Sequence, residues 1–222
     1  HSKDLVTWEL IGDGLHREDQ CNGDMNLVDV QSDGGIHAPT IRYHKGTFYI
    51  ITTNVYNSGD GKPGLMRNFV ITAKDPSGPW SEPHIIAGAP GIDPDIFFDT
   101  DGKVYFTGTH SPGDMNANGI GEIWIQELDI KKWELKGDRH TIWDGVFGCC
   151  TEGPHIYKEH GLYYLLVAEG GTGKNHAVMM AASENILGPY EENQRNPVLT
   201  TRHVTNDYFV NSTGHALSLI HI

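Results

Sequence analysis

The sequence predicts an all-β fold of four-stranded units set around an axis, a β-propeller, on three observations. One block recurs three times with fixed internal spacing, a glycine-bearing turn follows it at the same place, and helical periodicity is nearly absent. The first copy reads Ile36-His37-Ala38-Pro39-Thr40-Ile41, then Gly46 and Tyr49. The second reads Ile92-Asp93-Pro94-Asp95-Ile96, then Gly102 and Tyr105, and the third Thr151-Glu152-Gly153-Pro154-His155-Ile156, then Gly161 and Tyr164. Proline precedes glycine by 7, 8 and 7 residues, and glycine precedes tyrosine by 3 in every copy.

Each copy is expected to open with a short strand and turn at Lys45-Gly46, Asp101-Gly102 or His160-Gly161. It then returns along a second apolar strand such as 47–52 or 162–168. Two copies share an ending: Ala73-Lys74-Asp75 leads to Gly78-Pro79-Trp80, and Ala182-Ser183-Glu184 to Gly188-Pro189-Tyr190. A similar ending at Ser2-Lys3-Asp4-Leu5 to Trp8 has no copy in front of it, and Gly214-His215-Ala216 has the look of another beginning. Residues 1–15 are therefore read as the close of one blade, 34–86, 91–135 and 150–195 as full blades, and 207–222 as the start of a fifth. A ring of five such units needs about 285 residues. The 222 residues are accordingly read as one domain, an incomplete five-bladed propeller cut inside its first and last blades.

Composition narrows the function. Sixteen Lys and Arg against 29 Asp and Glu give a formal charge of −13, the wrong sign for neutralising nucleic-acid phosphates. No apolar run is long enough to span a membrane. The chain starts at His1, so its N-terminus assigns no compartment, and nothing in the sequence assigns an oligomeric state. Three cysteines cannot all pair, and adjacent Cys149 and Cys150 read as buried or semi-exposed thiols. Gly170-Gly171-Thr172-Gly173-Lys174 lacks the first glycine and the closing Ser or Thr of a phosphate loop. Asp99-Thr100-Asp101-Gly102 lacks the later ligands of a calcium loop and reads as a hairpin turn. The 13 histidines include no zinc-protease pair.

The chemistry is expected where strand starts ring one mouth of the channel. Asp93 stands one residue before its proline and Glu152 two before its own, in neighbouring blades, so their carboxyl groups should face one pocket. A carboxylate beside proline is also an ordinary turn cap; the pair at corresponding places favours chemistry. Paired carboxyls are the equipment of glycoside hydrolysis, with one acid protonating the leaving oxygen. Apolar neighbours such as Phe147, together with an Asp93 charge, should raise the pKa of Glu152 and make it the acid.

With these residues in view, the chain resembles glycoside hydrolase family 43. The resemblance rests on Gly91-Ile92-Asp93-Pro94-Asp95-Ile96-Phe97-Phe98-Asp99, Glu152-Gly153-Pro154-His155-Ile156-Tyr157, Ala168-Glu169-Gly170-Gly171-Thr172, Gly188-Pro189-Tyr190 and Gly214-His215-Ala216. It covers nearly the whole chain and implies a five-bladed propeller, mostly found in β-xylosidases and α-L-arabinofuranosidases. By the resemblance Glu152 is the general acid and Asp93 the carboxylate that tunes it. Thr172 at the end of an inner strand, Ala38 and His37 line the sugar pocket, with His37 where the family commonly places a stacking tryptophan. His215 matches an axial histidine near a calcium ion or a water; no cofactor is required. The family's general base is an aspartate on the first inner strand, and Asp4, in the outer part of its blade, does not match it. A sugar-binding arginine of the family has no match up to Ile222.

The leading expectation is an inverting glycosidase releasing terminal xylosyl or arabinofuranosyl residues from xylo- or arabino-oligosaccharides, its base missing from these residues and the chain inactive alone. A non-catalytic carbohydrate-binding propeller, and after it a bare scaffold, are the competing readings. The residues do not choose xylose over arabinose.

Overall fold

Short turns set the architecture. Lys45 and Gly46 both have positive φ, +46° and +76°, as do His160 and Gly161, +51° and +84°. Two left-handed residues in a two-residue turn give a twist that matches the strands on either side, so each pair of strands folds back antiparallel. The computed structural model describes residues 1–17, 20, 30, 32, 34–56, 65–146, 149–205 and 207–218.

Among the described residues thirteen strands form three antiparallel sheets, each following chain order. Sheet one holds β1 (Gly35–His44), β2 (Thr47–Tyr56), β3 (Leu65–Ala73) and β4 (His84–Ile85). Sheet two holds β5 (Asp95–Phe98), β6 (Val104–His110), β7 (Glu122–Asp129) and β8 (Glu134–Trp143). In sheet three β9 (Glu152–Glu159), β10 (Leu162–Glu169), β11 (Ala177–Ser183) and β12 (Glu191–Glu192) run in order, and β13 (Leu199–Thr200) also pairs with β11.

The sheets pack face to face, because apolar residues alternate along strands buried on both sides. On β6 and β7, Val104, Phe106 and Trp124 join Tyr49, Ile51 and Val70 of sheet one. The intervening Tyr105, Ile123 and Ile125 join Ile156, Leu165, Val167 and Met179 of sheet three. The other face of sheet one buries Phe69, Ile71 and Trp80, with Phe48, Ile50 and Leu15 against them.

Three features differ from the sequence expectation. Residues 1–17 carry no strand, because no neighbouring strand within the described residues gives them a ladder. Residues 207–218 are likewise without a strand, and 219–222, like the 57–64 stretch of the second expected blade, lie outside the described residues. Sheet two runs past residue 135 to Trp143, since β8 is a charged edge strand whose exposed face hides its periodicity.

Candidate active site

The leading strands of the three sheets share a local irregularity that positions the site. Ala38, Asp93 and Gly153, each just before a proline, have φ of +41°, +55° and +59°, and His215, before Ala216, has +52°. A non-glycine residue held there costs about 1–2 kcal/mol, and such residues concentrate at functional sites. In β1 and β9 the irregularity is a bulge. Register jumps between His37 and Thr40 against β2, and between His155 and Glu152 against β10. Pro39 and Pro154 fall inside these bulges, where a missing N–H does not break the ladder. The true counterpart of Asp93 is therefore Gly153, and Glu152 stands one residue earlier.

That offset lets the carboxylate of Asp93 reach across to sheet three. Its Oδ2 accepts a hydrogen bond from the Gly153 backbone N–H at 3.1 Å and another from His215 Nε2 at 3.1 Å. Gly153 has no side chain for a reason: a Cβ would lie 2.8 Å from the His215 ring. Asp93 and Glu152 are 5% and 7% exposed. Burial pushes the Glu152 carboxyl above its ordinary range and the nearby Asp93 charge pushes it further, while His215 pulls the other way. The Asp93 hydrogen bond raises His215, outweighing a burial effect of opposite sign. Asp93, Glu152 and His215 thus form one coupled group.

The remaining expected residues lie around it. Ala38 and His37 sit at the corresponding start of β1, half-buried, with His37 Nδ1 3.0 Å from the Gly35 carbonyl and the His37 carbonyl accepting from Thr52 Oγ1 at 2.6 Å. Thr172 is exposed on the loop between β10 and β11, not on an inner strand. Because Ala168 pairs with Glu152, that loop opens at the same end of sheet three as Glu152. Phe147 lies outside the described residues. His215 offers one nitrogen already bonded to Asp93, and no cluster of three or more metal-ligating side chains exists among the described residues. They do not compose a calcium site, which needs six to eight oxygens.

Other contributors were given no site role from the sequence. Cys149 is exposed and Cys150 half-buried beside Glu152, both free thiols. The Cys149 contact, with burial behind it, pushes the Cys150 thiol up to about 11. Glu169, fully buried, accepts hydrogen bonds from the Val146 N–H at 3.0 and 3.1 Å, fixing the segment that leads to the cysteines. Below the mouth, Asp95 receives Arg42 Nε at 2.8 Å and His155 Nδ1 at 3.0 Å. Burial opposes the Asp95 charge, but the Arg42 and His155 contacts overcome it and hold the carboxyl low. Three leading strands are joined by this one cluster.

A buried carboxyl with a raised pKa beside a second carboxyl, where antiparallel sheets meet, suits a glycoside hydrolase. The chain belongs to the glycosyl hydrolases family 43, whose model matches residues 1–220. It is 47% identical to a "Xylosidase/arabinosidase" of Butyrivibrio fibrisolvens over 97% of this chain and 40% of that protein. It is 39% identical to a "Beta-xylosidase" of Bacillus subtilis (strain 168), over 91% of this chain and 37% of that protein. The crystal structure of a xylan beta-1,4-xylosidase from Bacillus halodurans C-125 superimposes with a TM-score of 0.84 at 35% identity, covering 97% of this chain and 40% of that one. The chain therefore spans about 40% of the length of these relatives.

Proposed function

We propose that this chain carries the acid side of an inverting glycosidase site that releases terminal xylosyl or arabinofuranosyl residues from hemicellulose oligosaccharides. The observation that carries the reading is the contact of Asp93 with the peptide next to Glu152, in a place where burial and the Asp93 charge both raise the Glu152 pKa. The names of the relatives, xylosidases and arabinosidases, support the substrate class.

In this mechanism Glu152 gives its proton to the departing glycosidic oxygen as the bond to the anomeric carbon breaks. Water attacks that carbon from the opposite face and loses a proton to a carboxylate base about 6.5–9.5 Å from the acid. That base is not assigned to any of the described residues. The Asp93 charge raises the cost of ionising Glu152. One C–O bond to the anomeric carbon breaks as another forms to water, two protons move and no oxidation state changes, so the step needs no cofactor. Thr172, Ala38 and His37 are assigned to the sugar pocket, and His215 holds Asp93.

The test is the Glu152→Gln variant in a protein carrying the complete ring. Turnover of aryl xylosides or arabinofuranosides with poor leaving groups should fall about 10²–10⁴-fold. Substrates with activated leaving groups, which need no acid, should be nearly spared. The 222-residue chain alone should turn over neither class. Unchanged turnover of the poor leaving groups by E152Q contradicts the assignment, and sugar binding without turnover in the complete protein favours a carbohydrate-binding propeller.

A further inference from the structure

We propose that Thr109 is a positioning residue that sets the placement of Glu152 relative to Asp93. The proposal rests on the acid reading of Glu152 given above. Thr109 is the penultimate residue of β6 and is fully buried. Its backbone N–H donates to the carbonyl of Ile92, the residue immediately before Asp93, at 3.1 Å. Its hydroxyl donates to the carbonyl of Thr151, the residue immediately before Glu152, at 2.8 Å. One residue therefore grips the peptides preceding both carboxyls, which lie in different sheets.

The surroundings make this grip specific. The Glu122 carbonyl, also facing the hydroxyl, is farther at 3.2 Å, so the single hydroxyl proton goes to Thr151. The Thr109 oxygen accepts from the Gly121 N–H at 3.1 Å, and the same N–H reaches the Thr151 carbonyl at 3.1 Å. Gly91 packs against the Thr109 carbonyl so closely that a Cβ there would lie 1.7 Å from that oxygen. The backbone of Thr109 is thus fixed to the Asp93 side, and its hydroxyl is the adjustable link to the Glu152 side. Thr109 touches neither substrate nor the reacting atoms; it acts through Thr151. The charged and titratable groups facing Glu152 are Asp93, His215 and Cys150, and the hydroxyl fixes their distances without adding a charge.

The experiment compares T109V, T109A and T109S. T109V keeps the shape and loses the hydroxyl. T109A and T109S both lose the methyl, and only T109S keeps the hydroxyl, so this pair decides the matter even where T109V fails to fold. In the 222-residue chain, carboxyl ¹³C NMR should show the Glu152 pKa moving down towards its ordinary value in T109A and T109V and staying raised in T109S. In the protein with the complete ring, T109A and T109V should lose about ten- to hundredfold in kcat for poor leaving groups and less than about twofold for activated ones. T109S should restore the difference.

A Glu152 titration that is the same in all variants, or T109S as impaired as T109A, overturns the proposal on its own. Equal losses on both substrate classes do so too, because they mark general damage to the fold. Retention of poor-leaving-group turnover by E152Q overturns the acid reading itself and removes the catalytic meaning of the link. A loss in E152Q with wild-type behaviour in T109A overturns the positioning role alone.

Discussion

At the scale of residues, the site is a carboxylate, a carboxyl and an imidazole whose charges depend on one another. His215 has its pKa raised by Asp93, and Glu152 has its own raised by burial and by Asp93. A group with a raised folded-state pKa contributes stability that is complete below its unfolded value and is lost as pH rises through the folded value. For His215 that loss begins above about 6.5, and for Glu152 above about 4.3. Both contributions fade as pH rises, opposite in sign to those of Asp95 and Asp99, whose lowered carboxyls lose stability as pH falls. H215Q should flatten the slope of stability above about pH 6.5, as read from urea midpoints at several pH values. A slope unchanged in H215Q would show that the imidazole and Asp93 are not coupled. Pairing Asp93 with Glu152 was legible from their places beside repeated prolines. The bond to His215 was not, because the partners are 122 positions apart and only the fold brings them together. Thr109 was invisible for a related reason: one threonine in an apolar strand looks like any other until its neighbours are known.

At the scale of elements, the leading strands place the site through their left-handed residues and bulges. Glycine is needed at 153, where φ is +59° and the His215 ring occupies the space a side chain would take. Gly153→Ala should cost about 1–2 kcal/mol from backbone conformation, with the ring contact added to it. It should also push His215 away from Asp93 and return the imidazole pKa towards its ordinary value, which histidine NMR titration reads directly. An unshifted His215 would mean that the ring has room to move without losing its bond. The hairpin turns at Lys45-Gly46 and His160-Gly161 were legible because their dipeptides already favour positive φ. The bulges were not: the proline spacing aligns Asp93 with Gly153 and puts Glu152 one residue earlier, but it does not show that the leading strand bends there. Thr172 was misplaced onto an inner strand because a glycine-rich run after an apolar strand does not show where the strand ends.

At the scale of the whole molecule, three sheets are joined by apolar layers and by polar ties between their leading strands. Arg42, Asp95 and His155 come from β1, β5 and β9, and Lys158 with Tyr163 reaches Asp99 across sheets two and three at 2.7 and 2.6 Å. The repeat made the three sheets legible as units, since each copy carries the same turn. Their mutual ties were not, because the residues involved lie in different copies with no common spacing. Sheets two and three meet so that the charge of Asp93 acts on Glu152. Titrating the side-chain carboxyl of Glu152 by ¹³C NMR in the wild-type chain and in D93N tests it most directly. The account predicts a wild-type pKa above the ordinary value and a lower one in D93N that burial still keeps somewhat raised. Identical titrations in the two proteins would contradict it.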